Sequence, residues 1–563
     1  MTFFTIAVTK SEFLCLFHID MILILYQRVK AIFLASIGLG KEMNRKKREG
    51  NYWVMGSKPK CNVIKEENLM KKLMVVAMLL AFLAVPLTAF GTMGKMAPAS
   101  KDISVTWFGS LKTYPSWMSN LNFNSDSDVG DWMLDENGVM TDHNVRNELR
   151  MGWKGGNDKF DFMIILEADF NLDKNNTDRG AQKKGQTFAM ADDQGMTGDD
   201  FGVEKLDIGY NFGPFRIHTG WTTRWLDLKT GGLVYGDDHP YIGFTGNIGE
   251  NFKWEADYTI IYDAMSTEYS DSTDDTLHTG TIVQIKDPSL NPWDGDDLDW
   301  RVYSLKGIYT IPSGFAKGFV ISPFYAFSDN SAHSNAQVSY LGLEGYGKLG
   351  MFTPRFEIVY ADGDMEGEGA DYDISAMAAY ASVDIEICPG FIPYFGIKWE
   401  EGDDDPTDDD IDAFNSITDI TRYTPTFGME NAIVYRYISV LGSHLYSGNF
   451  NVNGTQPGYG GISNSSKGDA PGLMMWGLGF KGKYGQWSYK VQYMDFEFDD
   501  EPTGIDEEVG QEFDLRVAYT FSKHFTIANC FAAFDPGDAI EDMNGDDFDD
   551  TALVNTIELI WKW

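Results

Sequence analysis

The chain has 563 residues, with 84 acidic and 45 basic side chains and a formal net charge of −39. That balance argues against nucleic acid as a partner, because phosphate repels an acidic surface. Its aromatic share of 14% is too high for a disordered acidic chain. Mean hydropathy is negative, too polar for a bundle of membrane helices, so the length suits either several soluble domains or one large β-barrel.

Residues 1–69 hold a greasy stretch from Phe13 to Leu39, broken by His18, Asp20, Arg28 and Lys30. The basic cluster Lys41, Arg45, Lys46, Lys47 and Arg48 follows. We expect 1–69 to be an upstream extension foreign to the native protein, because Lys65-Glu66-Glu67 can be encoded by a purine run resembling a ribosome-binding site just before Met70. Residues 70–89 have the three-part layout of a secretory signal peptide. Lys71 and Lys72 precede an apolar run from Leu73 to Val85, Pro86 breaks it, and Leu87-Thr88-Ala89 offers small residues at the cleavage spacing. Ala97-Pro98-Ala99 offers a second cleavage point, farther from the run. Residues 90–563 are expected to form a single barrel with long acidic extracellular loops.

After residue 100 the recurring signal is period-two alternation over about ten residues, closed by a Gly/Asp/Asn-rich break. From Pro214 to Trp225, Phe215, Ile217, Thr219, Trp221, Thr223 and Trp225 share one face, against Arg216, His218, Gly220, Thr222 and Arg224. Lys159–Phe170, Asn251–Tyr262 and Glu512–Phe521 repeat the pattern. Trp153, Trp225, Trp399 and Trp563 sit at or near strand ends, as in the aromatic girdles of membrane barrels. Short turns such as Lys154–Asn157 alternate with long polar loops at 172–200, 263–297, 362–371 and 400–425. One short-turn side and one long-loop side is the asymmetry of an outer-membrane barrel.

Candidate strands begin near 103, 144, 159, 203, 214, 241, 251, 300, 318, 336, 351, 373, 391, 431, 473, 487, 512 and 525, and 552–563 makes a nineteenth. An even count is expected, so one assignment is surplus, and 431–440 has the most irregular apolar pattern. The expected fold is an all-β, transmembrane, antiparallel up-and-down β-barrel of about 18 strands, with 16 as the alternative. A barrel of that size leaves an aqueous passage.

Alternation points Arg146, Glu148, Arg150, Arg216, His218, Arg224, Lys253, Glu255, Asp257, Arg355, Glu357, Lys490 and Arg516 inward. The basic members and His218 are the candidate pore-lumen residues, since opposed charges across a narrow lumen bias which solute enters. The alternative is that they pair with wall neighbours and fill the interior. Acidic clusters occur at Asp294–Asp297, Asp403–Asp410 and Asp542–Asp547. The last begins like a calcium loop, but Asp547 replaces the turn glycine and Leu553 stands where the bidentate glutamate belongs. The clusters are therefore read as solvated loops, with a loosely held divalent cation bridging to lipopolysaccharide as the alternative. No resident cofactor or metal is expected.

Enzyme motifs are missing: there is no HExxH and no GxSxG. Gly477-Leu478-Gly479-Phe480-Lys481-Gly482 fits GxGxxG but lies in a strand-like stretch and opens no helix. Cys15, Cys61, Cys388 and Cys530 form no close-set pair and are expected to be isolated thiols.

The chain ends in Ile557, Leu559, Trp561 and Trp563 alternating with Thr556, Glu558, Ile560 and Lys562. This resembles the terminal strand that the barrel-assembly machinery reads in bacterial outer-membrane proteins. Gly510-x-Glu512-Phe513-Asp514-Leu515, the Ser522-Lys523-His524 turn and Phe534-x-Pro536-Gly537-Asp538 resemble the C-terminal part of the alginate-export type of outer-membrane porin, with Asp535 where that family has a second aromatic. The resemblance covers about a tenth of the chain. It implies a Gram-negative, eighteen-stranded export barrel passing an anionic polysaccharide, without fixing the constriction residues. The expected function is a passive outer-membrane porin for small hydrophilic solutes, anionic or sugar-like. The rival is a closed surface or adhesion barrel, and a barrel-borne hydrolase is a weaker third. Expected partners are outer-membrane lipid, lipopolysaccharide, the barrel-assembly machinery and small solutes.

Overall fold

The computed structural model describes residues 103–563 apart from 172–201, 265–297, 434–470 and shorter stretches of connecting chain. The extension 1–69, the export segment 70–89 and the cluster Asp294–Asp297 lie outside the described residues, as do parts of the other two acidic clusters.

Eighteen strands form the wall: β1 (Ser104–Ser119), β2 (His143–Gly156), β3 (Phe160–Asn171), β4 (Gly202–Asn211), β5 (Phe215–Trp225), β6 (Gly236–Ile248), β7 (Phe252–Ala264), β8 (Leu298–Thr310), β9 (Val320–Asn330), β10 (Ala336–Tyr346), β11 (Phe352–Glu366), β12 (Asp371–Ile385), β13 (Ile392–Glu400), β14 (Leu473–Tyr484), β15 (Trp487–Glu497), β16 (Glu508–Ser522), β17 (Phe525–Pro536) and β18 (Ala552–Lys562). Each pairs antiparallel with the next, and β18 closes on β1 with Ser110 opposite Lys562 and Ser119 opposite Leu553. Closure leaves no unpaired strand edge, which lipid would not tolerate. A short helix α1 (Asp538–Asn544) joins β17 to β18.

The wall has eighteen strands, not sixteen, and the segment expected at 431–440 is not one of them. β13 pairs directly with β14, from Ile392 opposite Lys481 to Glu400 opposite Leu473. Most of 431–440 lies outside the described residues, but Ile433 is fully buried and its N–H donates to Glu512 Oε1 at 2.6 Å. The strand expected from 241 begins at Gly236, because Pro240 sits inside it and blurs the pattern.

The outer face is apolar and exposed: Val105, Trp107, Leu305, Leu341, Ile358, Phe395 and Leu478 all project from it. Water penalises such a continuous surface and hydrocarbon accepts it. At the short-turn end, Trp107 meets Trp563 at 5.9 Å, and Phe525 stacks between Phe521 and Trp561 at 5.4 and 5.2 Å. Trp153 lies opposite Trp107 across β1 and β2. Trp225 is exposed at the other end, where Trp399 Nε1 donates to Asp499 at 2.6 Å. Ile557, Leu559 and Trp561 belong to the closing strand β18, and the backbone of Trp563 pairs with Gly109 beyond it.

Candidate functional site in the barrel interior

Among the described residues, two connections from the long-loop end turn into the barrel. Loop A, residues 226–235 between β5 and β6, is closed at its neck by Leu226 N–H donating to the Tyr235 carbonyl at 2.9 Å. Its Leu226, Leu228, Leu233, Val234 and Tyr235 are all buried. Asp227 folds the loop on itself, accepting the Val234 N–H at 2.5 Å. Loop B is the described part of 401–433. It joins loop A through the N–H groups of Ile417 and Thr418, both donating to the Val234 carbonyl at 2.8 and 3.1 Å.

Loop B runs down the inner face of β10 to β16. Tyr340 donates to the Asn415 carbonyl at 2.7 Å. Further down, Arg355 donates to Thr426 Oγ1 at 3.2 Å, Lys481 to the Pro425 carbonyl at 3.2 Å and Lys490 to the Gly428 carbonyl at 2.8 Å. Those three cations lie within four residues of the short-turn ends of β11, β14 and β15, so loop B reaches deep into the barrel. Gln492 donates to the Phe427 carbonyl at 2.9 Å. The Phe427 ring meets Tyr394 edge-on at 5.6 Å and lies over two paired glycines, Gly396 and Gly477. A Cβ on Gly477 would come within 2.6 Å of that ring, and one on Gly396 within 3.0 Å. The GxGxxG stretch is thus a socket in a strand, not a phosphate loop.

Elsewhere the interior cations answer to groups on the wall itself. Arg150 bridges Glu167 at 2.8 Å, Glu204 at 3.0 Å and Glu148 at 3.2 Å, and Lys112 adds a second cation at Glu148, at 2.8 Å. Arg216 holds Asp161 at 2.5 Å and Asp207 at 2.8 Å. Arg224 pairs with Asp257 and sits 4.3 Å from the Tyr241 ring centroid. Arg516 reaches Glu558 through both Nε, at 3.1 Å, and its terminal nitrogen, at 2.5 Å. Lys253 pairs with Glu255 at 2.5 Å, and Arg146 lies 5.9 Å from the Tyr114 ring. His218 is buried, with Nδ1 3.0 Å from the Tyr241 hydroxyl.

The nine candidate lumen residues therefore fall into two groups. Arg146, Arg150, Arg216, His218, Arg224, Lys253 and Arg516 form the wall-paired group. Arg355 and Lys490 grip loop B, and Arg355 also holds Asp384 at 3.0 Å. Sequence reasoning missed Lys306, Lys481, Glu344 and Asp384, which complete these networks. It also missed loop A, although Leu226-x-Leu228 and Leu233-Val234-Tyr235 form an apolar pair of runs in an otherwise polar connection. That was the available signal.

Cys388 is an exposed free thiol and Cys530 a buried one; the other two cysteines lie outside the described residues. Among the described residues no group of three or more His, Cys, Asp or Glu is arranged to hold a metal ion. In the acidic first part of loop B, burial and the neighbouring Asp404, Asp410 and Asp408 push the Asp412 carboxyl above its ordinary value.

No family model matches the chain, and no curated protein matches it. Among solved structures it is similar to OccAB2 of Acinetobacter baumannii, with 10% identity, a TM-score of 0.46 and coverage of 82% of this chain and 98% of that one. It is also similar to OprD of Pseudomonas aeruginosa, at 11% identity and TM-score 0.45, covering 83% of this chain and 97% of that one. A third likeness is to the outer membrane protein OpdK of Pseudomonas aeruginosa, at 9% identity and TM-score 0.44, covering 82% and 98%. The barrel assignment rests on this chain's own strand pairing.

Proposed function

We propose that the chain is an outer-membrane porin passing small hydrophilic solutes by passive diffusion. The observation that carries the reading is the closed eighteen-strand wall, apolar outside and lined inside by ion-paired arginines. An interior this wide is not filled by wall side chains alone. Arg150, Arg216 and Arg516 keep about a quarter to a third of their side-chain surface accessible within their ion pairs, so the wall offers fixed, paired donors and acceptors to a hydrophilic solute such as a carbohydrate. The resemblance of Gly510–Ile540 to alginate-export porins supports an anionic solute. No catalytic role is assigned to the interior, where His218 answers to Tyr241.

The remaining assignments belong to the same reading. Lipid covers the outer belt, the assembly machinery reads Ile557, Leu559, Trp561 and Trp563, and Met70–Ala89 directs export. The acidic loops face lipopolysaccharide, with loosely held divalent cations bridging the two.

The two inward loops favour one competing reading, a sealed surface barrel. Planar-bilayer recording separates them: steady single-channel current, selective for anions and blocked by uronate oligomers, is expected. A sealed bilayer containing correctly folded protein would establish the competitor instead.

A further inference from the structure

The outer belt carries two open carboxamides near the seam where β18 closes on β1. Asn529 of β17 keeps the outward period of Phe525, Ile527 and Phe531, and Asn555 of β18 that of Leu553, Ile557 and Leu559. Asn529 is exposed and Asn555 half-buried. Along β17, Asn529 stands four residues above Phe525, part of the aromatic cluster at the short-turn end, and six below the exposed Asp535 at the other. At about 3.3 Å per residue and a tilt of about 40°, that stretch covers about the 25 Å of an outer-membrane barrel's apolar band. Asn555 lies opposite Phe531, two residues up from Asn529, so both amides sit well inside the band.

Asn529 Nδ2 donates to Asn555 Oδ1 at 2.8 Å and to the Thr556 carbonyl at 3.3 Å. A carboxamide offers two protons and two lone pairs. The contact therefore uses both protons of Asn529 and one lone pair of Asn555. Left over are the Asn529 oxygen and, on Asn555, the whole NH2 group and a lone pair, with no partner among the described residues. Asn147 of β2 behaves differently. It also faces outward, opposite Thr113 of β1, yet it accepts from Thr113 Oγ1 at 2.7 Å, donates to the Val145 carbonyl at 3.0 Å and is almost wholly covered. The wall can hide a carboxamide from lipid, and at 529 and 555 it does not. Hydrocarbon has neither donors nor acceptors, so open amide groups at this depth are costly.

A second copy of the chain supplies the missing groups. Copies inserted in the same direction are related by a two-fold axis along the membrane normal, which sets equal depths face to face. Asn555 then meets its own twin, and a carboxamide is self-complementary: each NH2 donates to the other's oxygen in two reciprocal bonds. Trp117 of β1, 49% exposed and opposite Asn555, and Phe531 on the other side flank the amides with apolar surface. We propose that the face around Asn529 and Asn555 is an interface at which two copies of this chain pair in the membrane, Asn555 against Asn555. The pairing does not depend on whether the barrel conducts.

The test puts a fluorophore at the exposed Lys523 in the neighbouring short turn, as Lys523→Cys, in the full chain with its native cysteines replaced by serine. Donor- and acceptor-labelled barrels are mixed in phosphatidylcholine vesicles, energy transfer is followed as the protein is diluted with lipid, and photobleaching counts the copies per spot. Transfer should persist at densities where unassociated barrels rarely meet, with two bleaching steps. Asn555→Leu removes the reciprocal bonds and should raise the density for half-pairing about tenfold, since polar contacts in membranes are individually modest. Leu341→Ala, on the outer face of β10, should leave that density unchanged. Ala533→Trp sets bulk that lipid accepts beside Asn555, opposite Leu553, and should also part the copies; it replaces Asn555→Leu as the deciding variant should that chain give no folded band. Transfer no greater than random mixing would leave the amides to lipid and overturn the proposal. Three bleaching steps, or pairing unmoved by a folded Asn555→Leu, would overturn it as well.

Discussion

The two halves of the inner wall use the same residue types for different ends. From β1 to β5, and again at β16 and β18, arginines pair with carboxylates of neighbouring strands and stay partly open to the interior. From β8 to β15, lysines, Arg355 and buried carboxylates reach off the wall and grip loops A and B. The comparison separates two roles that a list of inward charges merges. Under the porin proposal, a charge answered by its own wall would set the field along the passage, whereas a charge answered by a loop would set how much passage remains.

The largest expected effect comes from closing the glycine socket. Gly477→Val puts branched carbon where the Phe427 ring lies 2.6 Å from an ideal Cβ. Overpacking of this kind costs about 1–3 kcal/mol, and the cheapest relief is expulsion of loop B. Single-channel conductance should rise, with the folded barrel band retained on unheated gels. Loss of the folded band at normal expression would instead show that the socket is needed for assembly.

Phe427→Ala attacks the same contact from the loop side. Removing the ring leaves the backbone contacts of loop B to Lys481, Lys490 and Gln492 in place, so the loop is loosened rather than pushed out. Conductance should increase less than for Gly477→Val, with more frequent switching between levels. An unchanged current trace would show that loop B does not narrow the passage.

Arg216→Glu with Arg224→Glu tests the wall-paired half. Permeability, read as the reversal potential in a salt gradient, should move toward cations with little change in conductance. Unchanged selectivity would place both arginines outside the narrow zone. The smallest effect is expected from Trp563→Ala, which removes the ring packed 5.9 Å from Trp107 beside the barrel seam. Aromatic pairs of this kind contribute about 0.5–1.5 kcal/mol beyond their area. Assembly, followed as the appearance of the folded gel band, should slow without altering the channel.

Alternation along single strands was enough to place the eighteen wall segments and to put Arg216, His218 and Arg224 on one face. A strand exposes its two faces with a period of two, and here one face meets lipid while the other meets the interior. The same local rule identified the surplus segment at 431–440 by its irregularity. It could not say where that segment went, or that Gly477 and Gly396, 81 positions apart in sequence, make one seat for Phe427.

What the sequence determined by itself is the hollow wall, because each strand carries its own two-faced pattern and needs only its neighbours to close. Which charges pair with the wall and which with a loop was decided by the tertiary structure alone. Lys306 and Glu344 are 38 residues apart and two strands removed, and Thr230 joins Glu344 and Glu357 only after loop A crosses the interior. Contacts of that kind depend on chain reversals through the lumen, which no local periodicity encodes.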